Sequence, residues 1–276
     1  AKDLGNTSFN VDVKGSGLKL DNTDTKLKGV VSLFQFKNYS YRNINVDGEL
    51  SKKLFSGTVN IDEPNVALSF HGQINLKETL PQYNFTADVE HLRIDTLNLM
   101  KVRGEAEIGA QLRINLKGNK LENMQGQILV DSFNYKADKV LYHINNITLT
   151  SDIAGNTQAL HLASDNIDAD FNGHFDYASL GDAFRGILPQ YFPALSKPST
   201  DVISHQDFTF DIRFKNMDLI TERFLPDWRV APNTTANGRF VTGDNLIEFN
   251  FFSPQIQFKN FKLFDEKLTL NTEREF

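Results

Sequence analysis

The sequence predicts an all-β chain: a long, highly curved antiparallel sheet forming an open apolar trough, with one short amphipathic helix. Apolar residues recur at every second position through most of the chain, which is the period of strands with one apolar and one polar face. Turn signals rich in Gly, Asn and Asp separate these runs, so the strands follow one another as hairpins. A single segment departs from period two and takes helical spacing.

Taken in chain order, Asp47-Gly48 reads as the first clear turn signal. Tyr83, Phe85, Ala87 and Val89 then share one strand face, opposite Asn84, Thr86, Asp88 and Glu90. Ala106, Ile108, Ala110, Leu112, Ile114 and Leu116 continue the pattern over a long strand, opposite Glu105, Glu107, Gln111, Arg113, Asn115 and Lys117. Turns follow at Lys117-Gly118-Asn119 and Ala154-Gly155-Asn156, and Ile167, Ala169 and Phe171 alternate with Asp168, Asp170 and Asn172. Leu180, Phe184, Ile187, Leu188 and Tyr191 have i, i+4, i+7, i+8, i+11 spacing, which predicts a helix over Leu180 to Leu195 that ends or kinks at Pro189 or Pro193. Residues 180–200 are thus a helix and loop excursion within one continuous β segment spanning 1–276.

Beyond the excursion, Phe208, Phe210, Ile212 and Phe214 alternate with Asp207, Thr209, Asp211 and Arg213. After turn signals at Asn237-Gly238 and Gly243-Asp244-Asn245, Ile247, Phe249 and Phe251 alternate with Glu248 and Asn250. A weak internal repeat relates Leu50 to Asp62 with Leu116 to Asp131, each running from a polar turn through an apolar residue and a Gly into a strand ending in Asp. The residues expected to face a shared apolar interior are Phe85, Val89, Ile108, Leu112, Ile114, Phe171, Phe208, Phe210, Ile212, Phe214, Phe249 and Phe251. At ~4.8 Å between strands, roughly 15 to 20 strands make a trough of about 70 to 95 Å.

Composition removes several function classes. The net charge is -6 and no basic run occurs, which argues against a nucleic-acid surface. The absence of Cys excludes disulfides, thiolate catalysis and Cys-based zinc sites. No apolar stretch approaches the ~20 residues of a membrane-spanning helix. His71, His91, His143, His161, His174 and His205 lack metal-ligand spacing, and the Gly-rich phosphate and dinucleotide loops and Gly-x-Ser-x-Gly are absent. Asp168-Ala169-Asp170-Phe171-Asn172-Gly173 copies the first half of a calcium loop, but Ser179 stands where its closing Glu belongs, and the alternation reads as a strand. Asn-x-Ser/Thr at Asn6, Asn38, Asn84, Asn146 and Asn233 is attributed to chance in an Asn-rich, Thr-rich chain. No catalytic residue, metal or cofactor is assigned.

The stretch Tyr41-Arg42-Asn43-Ile44-Asn45-Val46-Asp47-Gly48-Glu49-Leu50, followed by Leu54 to Leu76 with Phe55-Ser56-Gly57, Asp62-Glu63-Pro64-Asn65 and Phe70-His71-Gly72, resembles the AsmA-like superfamily. Within it the resemblance is to the translocation and assembly module (TamB) type found in Bacteroidetes, and it extends into Tyr83-Asn84-Phe85-Thr86-Ala87. Glu63 departs from the family wording only in spacing, and beyond this stretch the match is one of style. The resemblance implies a periplasmic trough that guides phospholipid or another acyl-chain lipid, or on an older view nascent outer-membrane proteins, between the two membranes. It also implies an outer-membrane barrel as partner, and an internal fragment held to the inner membrane through a segment absent from this chain. An outer-membrane β-barrel and a β-sandwich hydrolase or carbohydrate-binding domain are the competing readings. A barrel sits poorly with Glu273, Arg274 and Glu275, and sugar stacking with a single Trp.

Overall fold

The computed structural model describes residues 4–17, 19, 21–100, 102, 104–137, 140–177, 179, 205–244 and 246–272. The described chain is all-β: its seventeen strands belong to one large sheet, and the strand pairs described below are antiparallel. The strands are β1 (Leu4–Ser16), β2 (Asp24–Phe36), β3 (Tyr39–Tyr41), β4 (Ile44–Ser51), β5 (Leu54–Glu63), β6 (Val66–Asn75), β7 (Gln82–Arg93) and β8 (Ala106–Lys117). After a 3₁₀ turn at Leu121–Asn123 come β9 (Gln125–Ala137), β10 (Val140–Ala154), β11 (Thr157–Ser164), β12 (Ile167–His174) and β13 (Asp207–Phe214). Helix α1 (Asp218–Phe224) precedes β14 (Trp228–Val230), β15 (Thr234–Val241), β16 (Leu246–Phe258) and β17 (Phe261–Asn271).

The backbone divides into two compact units, 1–119 with 126–147, and 120–125 with 148–276. In the first unit β2 pairs with β1, β3 and β4, and pairing then runs from each strand to the next through β8. Its core gathers Tyr41, Ile44, Val66 and Leu97, with Val31, Phe34, Val46, Val59, Ile61 and Leu68 packed against them. In the second unit β11, β12, β13, β15, β16 and β17 pair in that order, and β14 adds to β16. Its core is Phe175, Phe208, Phe240 and Ile247.

Two of the turn signals are corrected. Asp47-Gly48 lies in the middle of β4, opposite Thr58 and Gly57, and Asn237-Gly238 in the middle of β15, opposite Asn250 and Phe249. Both glycines serve close approach between strands rather than chain reversal, as shown below. The β4–β5 reversal is made instead by Lys52 and Lys53, at φ 47° and 69°. Gly155, at φ 62°, does turn the chain between β10 and β11, and Gly243-Asp244 lies in the turn before β16. The helix expected over Leu180 to Leu195 lies outside the described residues. The described helix, α1, has seven residues, too few for a helical apolar stripe to show in the sequence.

Candidate functional site

Side chains alternate between faces along a strand, so residues paired across neighbouring strands share a face. In the first unit one such row runs Leu27, Gly48, Gly57, Gly72, Phe85, Ile114. A second runs Val46, Val59, Phe70, Ala87, Leu112, and a third Ile61, Leu68, Val89, Ala110. The register shift between Val89 and Leu92 inserts one extra residue in β7 and leaves Ile108 opposite Leu92 on this same face. All five of the residues expected here, Phe85, Val89, Ile108, Leu112 and Ile114, are therefore brought together, and each is half-buried. Phe70 links Phe55 and Phe85, with ring centroids 6.1 and 4.9 Å away.

The opposite face of these strands carries the row Lys28, Asp47, Thr58, His71, Thr86, Arg113. Arg113 is exposed and reaches Asp131 at 2.7 Å. Glu107, expected on this face, is half-buried opposite Arg93. A solvent-open depression of about 460 Å³ lies here, lined by His71, Gln73, Asn84, Thr86, Arg113 and Asn115 among others. The depression presents side-chain amides, the Thr86 hydroxyl, the His71 ring and the Arg113 guanidinium, which is paired with Asp131.

The second unit repeats the division. Leu160, Phe171, Phe210, Gly238, Phe249 and Leu270 form one row, and Ala169, Ile212, Ala236, Phe251 and Leu268 another. Gly173, Phe208, Phe240 and Ile247 lie beside them, as do Ile167 and Phe214. Phe208 is buried, whereas Phe171, Phe210, Ile212, Phe214, Phe249 and Phe251 are half-buried. All seven expected residues share this face. Behind it His161 Nδ1 meets Asp170 Oδ1 at 2.7 Å and Lys215 Nζ meets Asp168 Oδ1 at 2.6 Å, so the acidic residues of the calcium-like motif stand on the other face of strand β12. Beside the Phe cluster, burial pushes the Tyr177 hydroxyl up to about 12, with Glu122 adding to the shift.

Glycines interrupt the rows where backbones come together. A Cβ on Gly48 would lie 2.7 Å from the Ser56 oxygen, and one on Gly57 would stand 2.5 Å from the Gly48 Cα. Gly72, at φ 147°, would place a Cβ 2.5 Å from the Phe85 Cα, and Gly238 would overlap the Glu248 carbonyl oxygen. These contacts are closer than packed carbon atoms tolerate, so only glycine fits.

Sequence reasoning left out Val46, Phe55, Val59 and Phe70 on the apolar face of the first unit, and Leu160, Phe240, Leu268 and Leu270 on that of the second. Embedded glycines break the alternation around Val46, Phe55, Val59, Phe70 and Phe240, whereas β11 and β17, which carry Leu160, Leu268 and Leu270, contain no glycine. Comparison with family models, with curated proteins and with solved structures finds no match.

Proposed function

We propose that this chain is a non-enzymatic lipid-transport segment, whose sheet curls into an open trough that takes acyl chains on its apolar face. On this reading it guides phospholipid, or another acyl-chain lipid, between the inner and outer membranes of a cell envelope. It works in the periplasm, held to the inner membrane through a segment outside these residues, with an outer-membrane barrel as partner. The observation that carries the reading is the sorting of aliphatic and aromatic side chains onto one face of each unit, where most stay half-buried. Such surface gains by covering itself: roughly 0.8 kcal/mol accrues for each methylene moved from water onto it. The attraction has no preferred direction, so a tail can slide along the face. The glycine rows favour curling, because strands can close up on the side where a Cβ is missing. The resemblance to the AsmA-like superfamily supplies the lipid and the envelope.

The test places a carboxylate where a tail would lie. Burying an unpaired charge beside acyl chains costs several kcal/mol or forces the group to neutralise. Leu112→Glu and Phe210→Glu should therefore lose lipid detected by extraction or photo-crosslinking, while Arg113→Glu, on the opposite face, keeps it. Far-UV circular dichroism on each variant separates lost lipid from lost fold. A folded wild-type chain that carries no lipid by either method removes the reading and leaves a sandwich packed by its own phenylalanines.

A further inference from the structure

The second unit carries an apolar patch on the wrong face for the trough. The polar side of β16 and β17 begins with Glu248 opposite Asn271 and Asn250 opposite Thr269. Toward the hairpin end it changes character: Ile256 stands opposite Leu263 and Phe258 opposite Phe261. On the other flank β14 places Trp228 against Phe258, their ring centroids 4.7 Å apart. The patch is open to solvent, with Phe261 76%, Leu263 52%, Phe258 41% and Trp228 39% exposed.

Lys259 and Lys267 border it, with Asp265 between Leu263 and Lys267 along β17, in a chain whose net charge is -6. Lys259 holds its ammonium 5.3 Å from the centre of the Phe258 ring, and Lys267 sits 5.9 Å from that of Phe252. Two backbone bonds fix the start of β14 beside the hairpin end: the Lys259 N–H donates to the Asp227 carbonyl at 2.7 Å and the Trp228 N–H to the Leu225 carbonyl at 2.8 Å. Aromatic rings beside ammonium groups suit the boundary between acyl chains and headgroups. We propose that this hairpin end docks on a bilayer surface bearing anionic headgroups. Trp228, Phe258, Phe261 and Leu263 enter the interface, and Lys259 and Lys267 meet headgroup phosphates. The inference stands apart from the trough, since these rings lie on the opposite face.

Trp228 is the only tryptophan, so its emission reports the patch directly. With vesicles of phosphatidylglycerol and phosphatidylethanolamine, the intact chain should show a blue-shifted emission and co-sediment, and both effects should fall as salt rises. Phosphatidylcholine vesicles should bind markedly less. Replacing both Phe261→Ser and Leu263→Ser should weaken partitioning about tenfold or more, and Lys259→Glu about fivefold or more. No shift with anionic vesicles, or equal binding to phosphatidylcholine, overturns the proposal. A blue shift that grows with protein concentration without vesicles, together with a doubled mass by light scattering, overturns it too and makes the patch an interface between copies. Lipid co-extracted from the trough face is scored separately, so either proposal can fail while the other stands.

Discussion

Gly57 shows how one missing Cβ shapes its surroundings. A methyl there would press on the Gly48 Cα at 2.5 Å and overlap the Asp47 carbonyl, both backbone atoms that cannot swing aside. Gly57→Ala is expected to lower stability by about 1–3 kcal/mol in urea unfolding. Gly243→Ala, with nothing within 4 Å, should stay within about 0.5 kcal/mol of wild type. Tyr177 gives a pH signature. Its hydroxyl ionises near 10 when unfolded and at about 12 in the fold, so the folded state holds the proton longer. The contribution is fully present below pH 10 and is lost as pH rises from 10 toward about 12. Unfolding midpoints measured across that window should drop, and Tyr177→Phe should flatten the drop.

At the scale of elements, the turn Ile94 to Leu99 closes one end of the apolar face of the first unit. The Leu97 N–H donates to the Arg93 carbonyl at 2.9 Å and the Leu99 N–H to the Ile94 carbonyl at 3.2 Å, which folds the chain back over the sheet. Leu97 is thereby fully buried among the core residues of β2 to β7. Asn98 ties the turn down by donating from Nδ2 to the Lys37 carbonyl at 3.1 Å. Leu97→Ala should cost about 2–5 kcal/mol in denaturant unfolding. Leu76→Ala, at a site 47% exposed, should cost under about 1 kcal/mol. An equal cost at the two sites would mean that the turn does not clamp the sheet. The β16–β17 hairpin is the counter-case, since its end leaves large side chains uncovered, and the vesicle experiment addresses that surface.

For the whole molecule, each unit carries an apolar face of its strands, and the proposed lipid binding is tested on both. Leu112→Glu and Phe210→Glu should each remove part of the bound lipid, and the double variant nearly all of it, by mass spectrometry of extracts. Unchanged lipid in both single variants would remove the lipid reading. The all-β class, and within each unit the side of its strand on which each candidate residue stands, were legible in the order of amino acids, because a period of two is local and needs no knowledge of neighbours. Asp47-Gly48 and Asn237-Gly238 were misread, since a glycine that relieves crowding between strands looks in sequence like one that turns the chain. Helix α1 left no mark because two turns make no stripe. The order of amino acids thus settles the strand period and which residues of a strand share a face. Folding adds which strands stand side by side, that Gly48, Gly57 and Gly72 fall in one row, that Leu97 covers a sheet end, and that Trp228, Phe258 and Phe261 meet. Each of these is a contact between residues distant in the chain, and register across strands is settled by such contacts together.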